Sequence, residues 1–447
     1  MTPSEQLAIN GGPQAAPAYE GADQPKIGLE EFVELADTWG FSAETQAAIR
    51  AAIEKEQVAS PMLSRYYNPR PSKVKALEEL CQETFDIPHV LGVNSGTSAL
   101  SCAYVAAGIG PGCEVIVPSY TFFATVAEVV TARAIPVIAD IDESLTMDPA
   151  DVERKITART KAIVPVHMIG TCADMDAIMA IARKHRLMVI EDAAQACGAS
   201  YKGRRLGTIG DLGCFSISSY KITGGGEAGL VMTRDPFLYM RAQNNHDTAA
   251  CWRPDRYATE REKGELFCGY NYRMSELEGA VALAQMRKMP AQIQRWQQAR
   301  RRVAAGVRRF AGVTPQKMHD PNGAVGHLLG FFAPDPKTAL ALAEALRAEG
   351  IPTNSRGDST ARDWHVAAYW QHILERKSAS PDGCPWTCER NAPFIPDYSP
   401  EMWPRVTDLL SRLFSVRISQ WWTESDCDQV AAGINKVLGA YFRPMDG

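Results

Sequence analysis

Hydrophobic and polar positions change period several times along the chain. In "GLEEFVELADTWG" (Gly28 to Gly40) and "SAETQAAIRAAIEKEQVA" (Ser42 to Ala59) apolar residues recur every three to four positions. That is the period of an amphipathic helix, and Gly40 marks a stop between the two. From residue 89 short β-rich runs take over: "HVLGV", "EVIVP", "IPVIAD", "KAIVPVHM" and "LMVIED". Each is followed by a helix-like segment such as "TSALSCAYVAAG" or "ADMDAIMAIARKH". This alternation calls for right-handed β-α-β crossovers and predicts an α/β fold with a mostly parallel sheet covered on both faces. The runs "GCFSIS" and "AGLVM" predict two further strands. A helical stretch from Met274 to about Phe310 then leads into "HLLGFFA", a helix at "KTALALAEALRAEG" and a strand at "IPTN", the makings of a smaller α+β domain. The pattern divides the chain into an arm over 1–26 rich in Ala, Gly, Pro and Gln, a large domain over 27–300 that includes the first helices, and a small C-terminal domain over 301–447.

Composition narrows the class. Hydrophobic residues make up 45% of the 447 positions and charged ones 22%, as in an ordinary globular protein. With 47 basic against 52 acidic residues the net charge is −5, so no bulk attraction to nucleic acid or to an anionic membrane is expected. The first residues lack a basic stretch leading into an apolar one, and no window approaches the roughly 20 apolar residues of a membrane span. The expected location is cytoplasmic. The 11 cysteines are scattered singly apart from Cys384 and Cys388 in "CPWTC", which implies neither a disulfide framework nor a metal site.

Ligands on open α/β sheets bind beyond the carboxyl ends of the strands, so the residues that follow each strand carry the chemical information. After "HVLGV", Gly96, Thr97 and Ser98 open a helix whose free N–H groups suit a phosphate, although small residues there also serve as plain caps. After "EVIVP", Phe122 stands at the edge of the same crevice or fills the core. Asp192 ends "LMVIED", where it is either the cap of a following helix or, beside a pyridine ring, the carboxylate that keeps the ring nitrogen protonated. Lys221 follows Ser216 by five residues in "GCFSISSYKITGGGEAG", among Phe, Ile, Ser, Tyr and Gly. A lysine in such a context suits Schiff-base formation with an aldehyde cofactor.

The segments "SGTSAL", "VPSYTFFAT", "EDAAQACGASYKG", "GDLGCFSISSYKITGGGEAG" and "GYNYRMSELEGAVALAQM" occur in order between about residues 60 and 300. Together they resemble the successive signatures of the DegT/DnrJ/StrS family of pyridoxal-phosphate sugar aminotransferases. The resemblance implies the aspartate-aminotransferase-like fold, fold type I, with pyridoxal 5′-phosphate as cofactor. It implies that Lys221 carries the Schiff base and shuttles the proton, that Asp192 pairs with the pyridine nitrogen, and that Phe122 stacks on the ring. It further implies that Gln195 lies near the ring oxygen and that Gly96, Thr97, Ser98 and Ser216 hold the phosphate. Asn271, in the "GxNxR" segment, would reach the phosphate of a neighbouring subunit in a homodimer with shared sites. One departure is Ala228, where many relatives carry glycine. Its methyl group is expected to narrow the turn.

The implied reaction moves an amino group from glutamate or glutamine to a keto or aldehyde sugar, or a sugar acid, in amino-sugar biosynthesis. Family members that are dehydratases carry histidine in place of the lysine, and a PLP-binding regulator without catalysis is the other alternative. The stretch "NSRGDSTARDWHVAAYWQHILERK" and the "CPW" after it are aromatic and basic. They are similar to the corresponding region of the aminotransferase that makes 8-amino-3,8-dideoxy-octulosonate. Arg356, Trp364 and His365 are therefore candidate substrate contacts, against the alternative that the aromatics pack the small domain. Arg65, with Arg70 and Lys73 in "SRYYNPRPSK", is a candidate for an anionic substrate group.

Overall fold

A computed structural model describes residues 2–16, 25–56, 61–68, 70–357 and 362–445. It divides into two units, Met1–Leu63 with Tyr67–Pro69, and Ser64–Tyr66 with Arg70–Gly447. In the first unit, α1 (Leu29–Asp37) and α2 (Ala43–Ile53) are separated by Gly40 at φ +67°, a conformation that favours glycine. Ser42 caps α2 by accepting the Thr45 N–H, and Arg50 meets Glu30 through two hydrogen bonds of 2.6 and 2.7 Å. The α2 helix ends at Ile53, and 57–59 of its predicted extent lie outside the described residues.

The second unit is built on a seven-stranded sheet. Its strands are β1 (His89–Val93), β2 (Glu114–Pro118), β3 (Ile135–Ala139), β4 (Thr160–Ile163), β5 (Met188–Asp192), β8 (Leu212–Ser216) and β9 (Gly229–Thr233). A two-residue hairpin, β6 (Ser200–Tyr201) and β7 (Arg204–Arg205), lies between the fifth and sixth of them. The spatial order is β1-β9-β8-β5-β4-β2-β3, and only β9 runs against the others. Alternate side chains of each strand enter opposite cores. Val90, Ile116, Val189 and Leu230 pack with α3 (Lys73–Phe85), α7 (Met175–His185) and α9 (Glu276–Gly306). Leu91, Val117, Ile190 and Val231 pack with α4 (Gly96–Ala106), α5 (Ala124–Thr131) and α8 (Pro236–His246). Both faces are therefore dry, which is why these strands read as continuous apolar runs. The predicted run "KAIVPVHM" stops as a strand at Ile163, two residues before Pro165, whose missing N–H cannot extend a ladder.

A second sheet, in the order β10-β11-β13-β12, comprises β10 (Thr314–Pro315), β11 (Leu328–Phe332), β12 (Thr353–Ser355) and β13 (Leu413–Arg417). It has its own core, made with α10 (Pro336–Ala348), α13 (Glu424–Tyr441) and the end of α9. Between β12 and β13 the chain returns to the large sheet. Tyr398 Oη donates to the Pro136 carbonyl at 2.7 Å and Trp403 Nε1 to that of Ile138 at 3.0 Å. These donors meet carbonyls of β3, the strand at the sheet's edge, and Trp370, Trp386, Tyr398 and Trp403 are buried beneath the segment. Most aromatics of this stretch are thus packing residues. No helix among the described residues is long and apolar enough to cross a membrane.

Candidate active site

Because β1, β2, β5 and β8 run the same way, their carboxyl ends meet at one edge of the sheet, around a cavity of about 490 Å³. The floor is the start of α4. Ser95 caps it by accepting the Ser98 N–H at 3.0 Å, and the N–H groups of Gly96 and Thr97 in the first turn have no acceptor within the helix. This helix end touches two strands closely. A Cβ on Gly96 would lie 2.6 Å from the Ser216 Cβ, and one on Gly229 would lie 2.3 Å from the Ser95 carbonyl oxygen. Both positions need glycine for that approach. Ser98 does not line the cavity. Its N–H goes to Ser95 and its hydroxyl to Asn94 Oδ1 at 2.6 Å, so both of its donors serve the cap. Ser95, which the sequence reading passed over, lines the cavity instead, and its place just before the periodic run is the signal that identifies it.

Asp192 is buried at the end of β5. Its Oδ2 accepts the Thr125 hydroxyl at 2.8 Å and its Oδ1 the Ala194 N–H at 3.1 Å. A turn, not a helix, follows, so the carboxylate is not a helix cap. The preceding Glu191 points the other way and accepts the N–H groups of Gly207, Ile209 and Gly210 at 2.8, 2.6 and 2.7 Å, which pins the strand end. Thr125 was not legible in the sequence, since a hydroxyl in the first turn of α5 has no periodic signature.

Lys221 sits in a turn closed by Lys221 N–H to the Ser218 carbonyl and Gly224 N–H to the Lys221 carbonyl, both 2.9 Å. A Cβ on Gly224 would lie 2.4 Å from the Ser219 carbonyl oxygen, so this turn also requires glycine. Burial lowers the pKa of the Lys221 amine, and the negative charge of Asp192 offsets part of that effect. The methyl of Ala228 is buried in the core with Ile217 and Phe215, while the neighbouring Glu227 lines the cavity. The expected narrowing of the turn is therefore absorbed by the core.

Phe122 lines the cavity at 50% exposure, which excludes a core role. The oxygen Oε1 of Gln195 accepts the Ile169 N–H at 3.0 Å, leaving the amide NH2 as the group able to donate to a ligand. Ser216, Ser218, Glu227, His365 and the fully exposed Tyr220 complete the wall.

The remaining candidates lie elsewhere. Arg65 is buried in an ion pair with Glu78 at 2.5 Å, its guanidinium 4.9 Å from the Tyr66 ring centre. Glu78 occupies the apolar stripe of α3 with Val74, Leu77 and Cys81, and a carboxylate there needs a buried cation. That position in the helix period was the available signal. Trp364 is 58% exposed and lies against Phe123 and His372, ring centres 6.1 and 5.7 Å away, outside the cavity lining. Arg356 faces Asp363 at 3.5 Å. Asn271 is exposed and does not line the cavity of its own chain, and Tyr270 beside it stacks on Tyr272.

These residues fit pyridoxal phosphate: a buried carboxylate, a half-buried lysine of lowered pKa, a half-exposed aromatic face, and helix N–H groups with serine hydroxyls for an anion. Comparison with known proteins agrees. A GDP-perosamine synthase from Caulobacter vibrioides is 41% identical over 221 residues, covering 48% of this chain and 55% of that protein, so the chain spans little more than half of this relative. A UDP-N-acetyl-3-dehydro-alpha-D-glucosamine 3-aminotransferase from Acidithiobacillus ferrooxidans is 38% identical over 282 residues, 62% of this chain and 72% of that one. Among solved structures, 3-amino-5-hydroxybenzoic acid synthase superposes with a TM-score of 0.66 at 25% identity, covering 95% of this chain and 98% of the other. The DesV protein of S. venezuelae does so at 0.64 and 27%, covering 93% and 98%. Residues 51–375 match the model of one family along nearly three quarters of the sequence, and the chain belongs to that family, the DegT/DnrJ/EryC1/StrS aminotransferases.

Proposed function

We propose that this chain is a PLP-dependent aminotransferase that moves an amino group from glutamate or glutamine to the carbonyl carbon of a keto or aldehyde sugar, or of a sugar acid, in amino-sugar biosynthesis. The observation that carries the reading is the convergence of Lys221, Asp192 and the α4 N-terminus on one cavity. Bound there, the cofactor supplies an electron sink for the carbon next to the transferred nitrogen. Lys221 Nζ would hold the cofactor aldehyde and, when displaced, carry a proton between carbon atoms. Its lowered pKa favours the neutral amine that both tasks need. The Asp192 carboxylate, kept in place by Thr125 and Ala194, would favour a protonated pyridine nitrogen. Phe122 would cover one face of the ring, Gln195 would donate to its oxygen, and Gly96, Thr97 and Ser216 would hold the phosphate.

The proposal includes a homodimer that works in the cytoplasm without a nucleic-acid or membrane partner. Asn271 is exposed on its own chain and is the residue that would reach the partner's phosphate. The net charge of −5 supports the absence of an anionic macromolecular partner. A lysine at position 221 favours transamination over dehydration. Borohydride reduction of the loaded protein should place a pyridoxyl adduct on Lys221 by peptide mapping, and glutamate or glutamine should discharge the cofactor's visible absorption. An adduct on another lysine, or no spectral response to any amino donor, overturns the reading.

A further inference from the structure

Among the residues of the cavity wall is one histidine, His365, and it is held in a defined tautomer. His365 Nδ1 lies 2.8 Å from Asp363 Oδ1, and the His365 N–H donates to the same oxygen at 2.9 Å. A carboxylate only accepts, so Nδ1 bears the proton and the neutral ring presents its Nε2 lone pair. The second oxygen of Asp363, Oδ2, faces Arg356 Nη1 at 3.5 Å. Burial by itself would raise the Asp363 pKa, but the His365 hydrogen bonds and the Arg356 charge outweigh it, and the carboxyl ends below its ordinary range.

The segment is also fixed in place. The His365 carbonyl accepts the Thr121 N–H at 2.9 Å, Val366 pairs with Tyr120, and the Ala367 N–H meets the Ser119 carbonyl at 2.9 Å. This is the exit of β2 that also carries Phe122, whose ring centre is 5.7 Å from the imidazole. The other titratable or charged groups that face His365 are Tyr120 on that exit and, across the cavity wall, Lys221, Asp192, Cys214, Tyr220 and Glu227.

We propose that His365 Nε2 handles the proton at the substrate's oxygen while Lys221 handles the proton at carbon, with Asp363 and Arg356 as positioning residues. This rests on the aminotransferase reading and adds a division of labour to it. When the sugar's carbon–oxygen bond is exchanged for a carbon–nitrogen bond, the oxygen leaves as water. One of its protons comes from the attacking amine and the other from the imidazolium of His365, which is left neutral. In the half-reaction with the amino donor, water would add to the carbon that bears the nitrogen, hand one proton to neutral His365 and the other to that nitrogen as the carbon–nitrogen bond breaks, and end as the carbonyl oxygen of the keto acid. The proton gained in one half is given up in the other, so the cycle needs no external acid.

Two measurements test the assignment on the cofactor-loaded protein. Long-range proton–nitrogen spectra of 15N-histidine-labelled protein, with His365 assigned by its loss in His365→Gln, should show the Nδ1-protonated neutral ring. In Asp363→Ala the ring should populate both neutral tautomers, because the acceptor that holds the proton on Nδ1 is gone. His365→Ala should slow both half-reactions by about 100- to 10,000-fold and leave the Lys221 borohydride adduct intact. Added imidazole should restore part of both rates, following its basic form with the donor and its protonated form with the sugar. A parent-like rate in His365→Ala, a raised sugar KM with unchanged half-reaction rates, or no imidazole rescue overturns the proposal. A parent enzyme that no amino donor discharges sinks the aminotransferase reading itself, a separate result.

Discussion

The two walls of the cavity are built on different principles. On the side proposed for the cofactor, Asp192, Ser216 and the α4 N-terminus issue directly from buried strands, and Gly96, Gly224 and Gly229 allow close approach of neighbouring segments. On the side proposed for the substrate, His365 arrives on a segment that belongs to no strand of the large sheet and docks on the exit of β2 through one backbone bridge of two hydrogen bonds. The first wall is continuous with the sheet, and the second joins it through one backbone bridge and buried neighbours such as Val366 and Ala367. Changes to the first wall should therefore disturb cofactor attachment as well as both proposed half-reactions, whereas changes to the second should leave the Lys221 adduct intact.

The largest expected effect is at Lys221. Lys221→Ala should lower turnover by at least about 1,000-fold and abolish the borohydride adduct, with melting temperature close to that of the parent. In the parent, adduct formation should slow as pH falls through the amine's lowered pKa, since only the neutral amine condenses. Asp192→Asn keeps the shape and the contact with Thr125 but removes the charge. Its kcat should fall by about 100-fold or more in both half-reactions, and equal kinetics in parent and variant would reduce Asp192 to a packing residue.

Arg65→Ala sharpens the contrast from outside the cavity. It strands Glu78 in the core and should cost about 3–5 kcal/mol in denaturant unfolding, while KM for the sugar in the folded fraction stays unchanged. A selective rise in KM would return Arg65 to the substrate. Gly96→Ala pushes a methyl against Ser216 and should destabilise by about 1–3 kcal/mol and weaken cofactor binding, measured by equilibrium dialysis. The smallest effect belongs to Trp364→Ala. Its indole is mostly exposed outside the cavity, so the change should stay below about 1 kcal/mol in stability and in the sugar half-reaction, and a larger selective loss in the latter would extend the substrate site to this ring.

The strands of the large sheet were legible because a strand buried on both faces must be apolar throughout, and "HVLGV" and "EVIVP" match β1 and β2 residue for residue. The strand β13 at "LFSVR" and the helix α13 were not read. Their partners lie in a sheet whose order, β10-β11-β13-β12, no local pattern announces.

By itself the sequence determined which residues stand at strand ends or in the turns just beyond them, hence Asp192, the opening of α4, Phe122 and Lys221, because position along a strand is set by local period. The tertiary structure alone decided which polar groups those residues meet. Ser98 serves a helix cap, Arg65 is consumed by Glu78, Thr125 holds Asp192, and Asp363 orients His365. Hydrogen bonds and ion pairs are settled by distances of a few ångströms between segments up to hundreds of residues apart. A one-dimensional pattern records that a polar group exists, and only the folded chain assigns its partner.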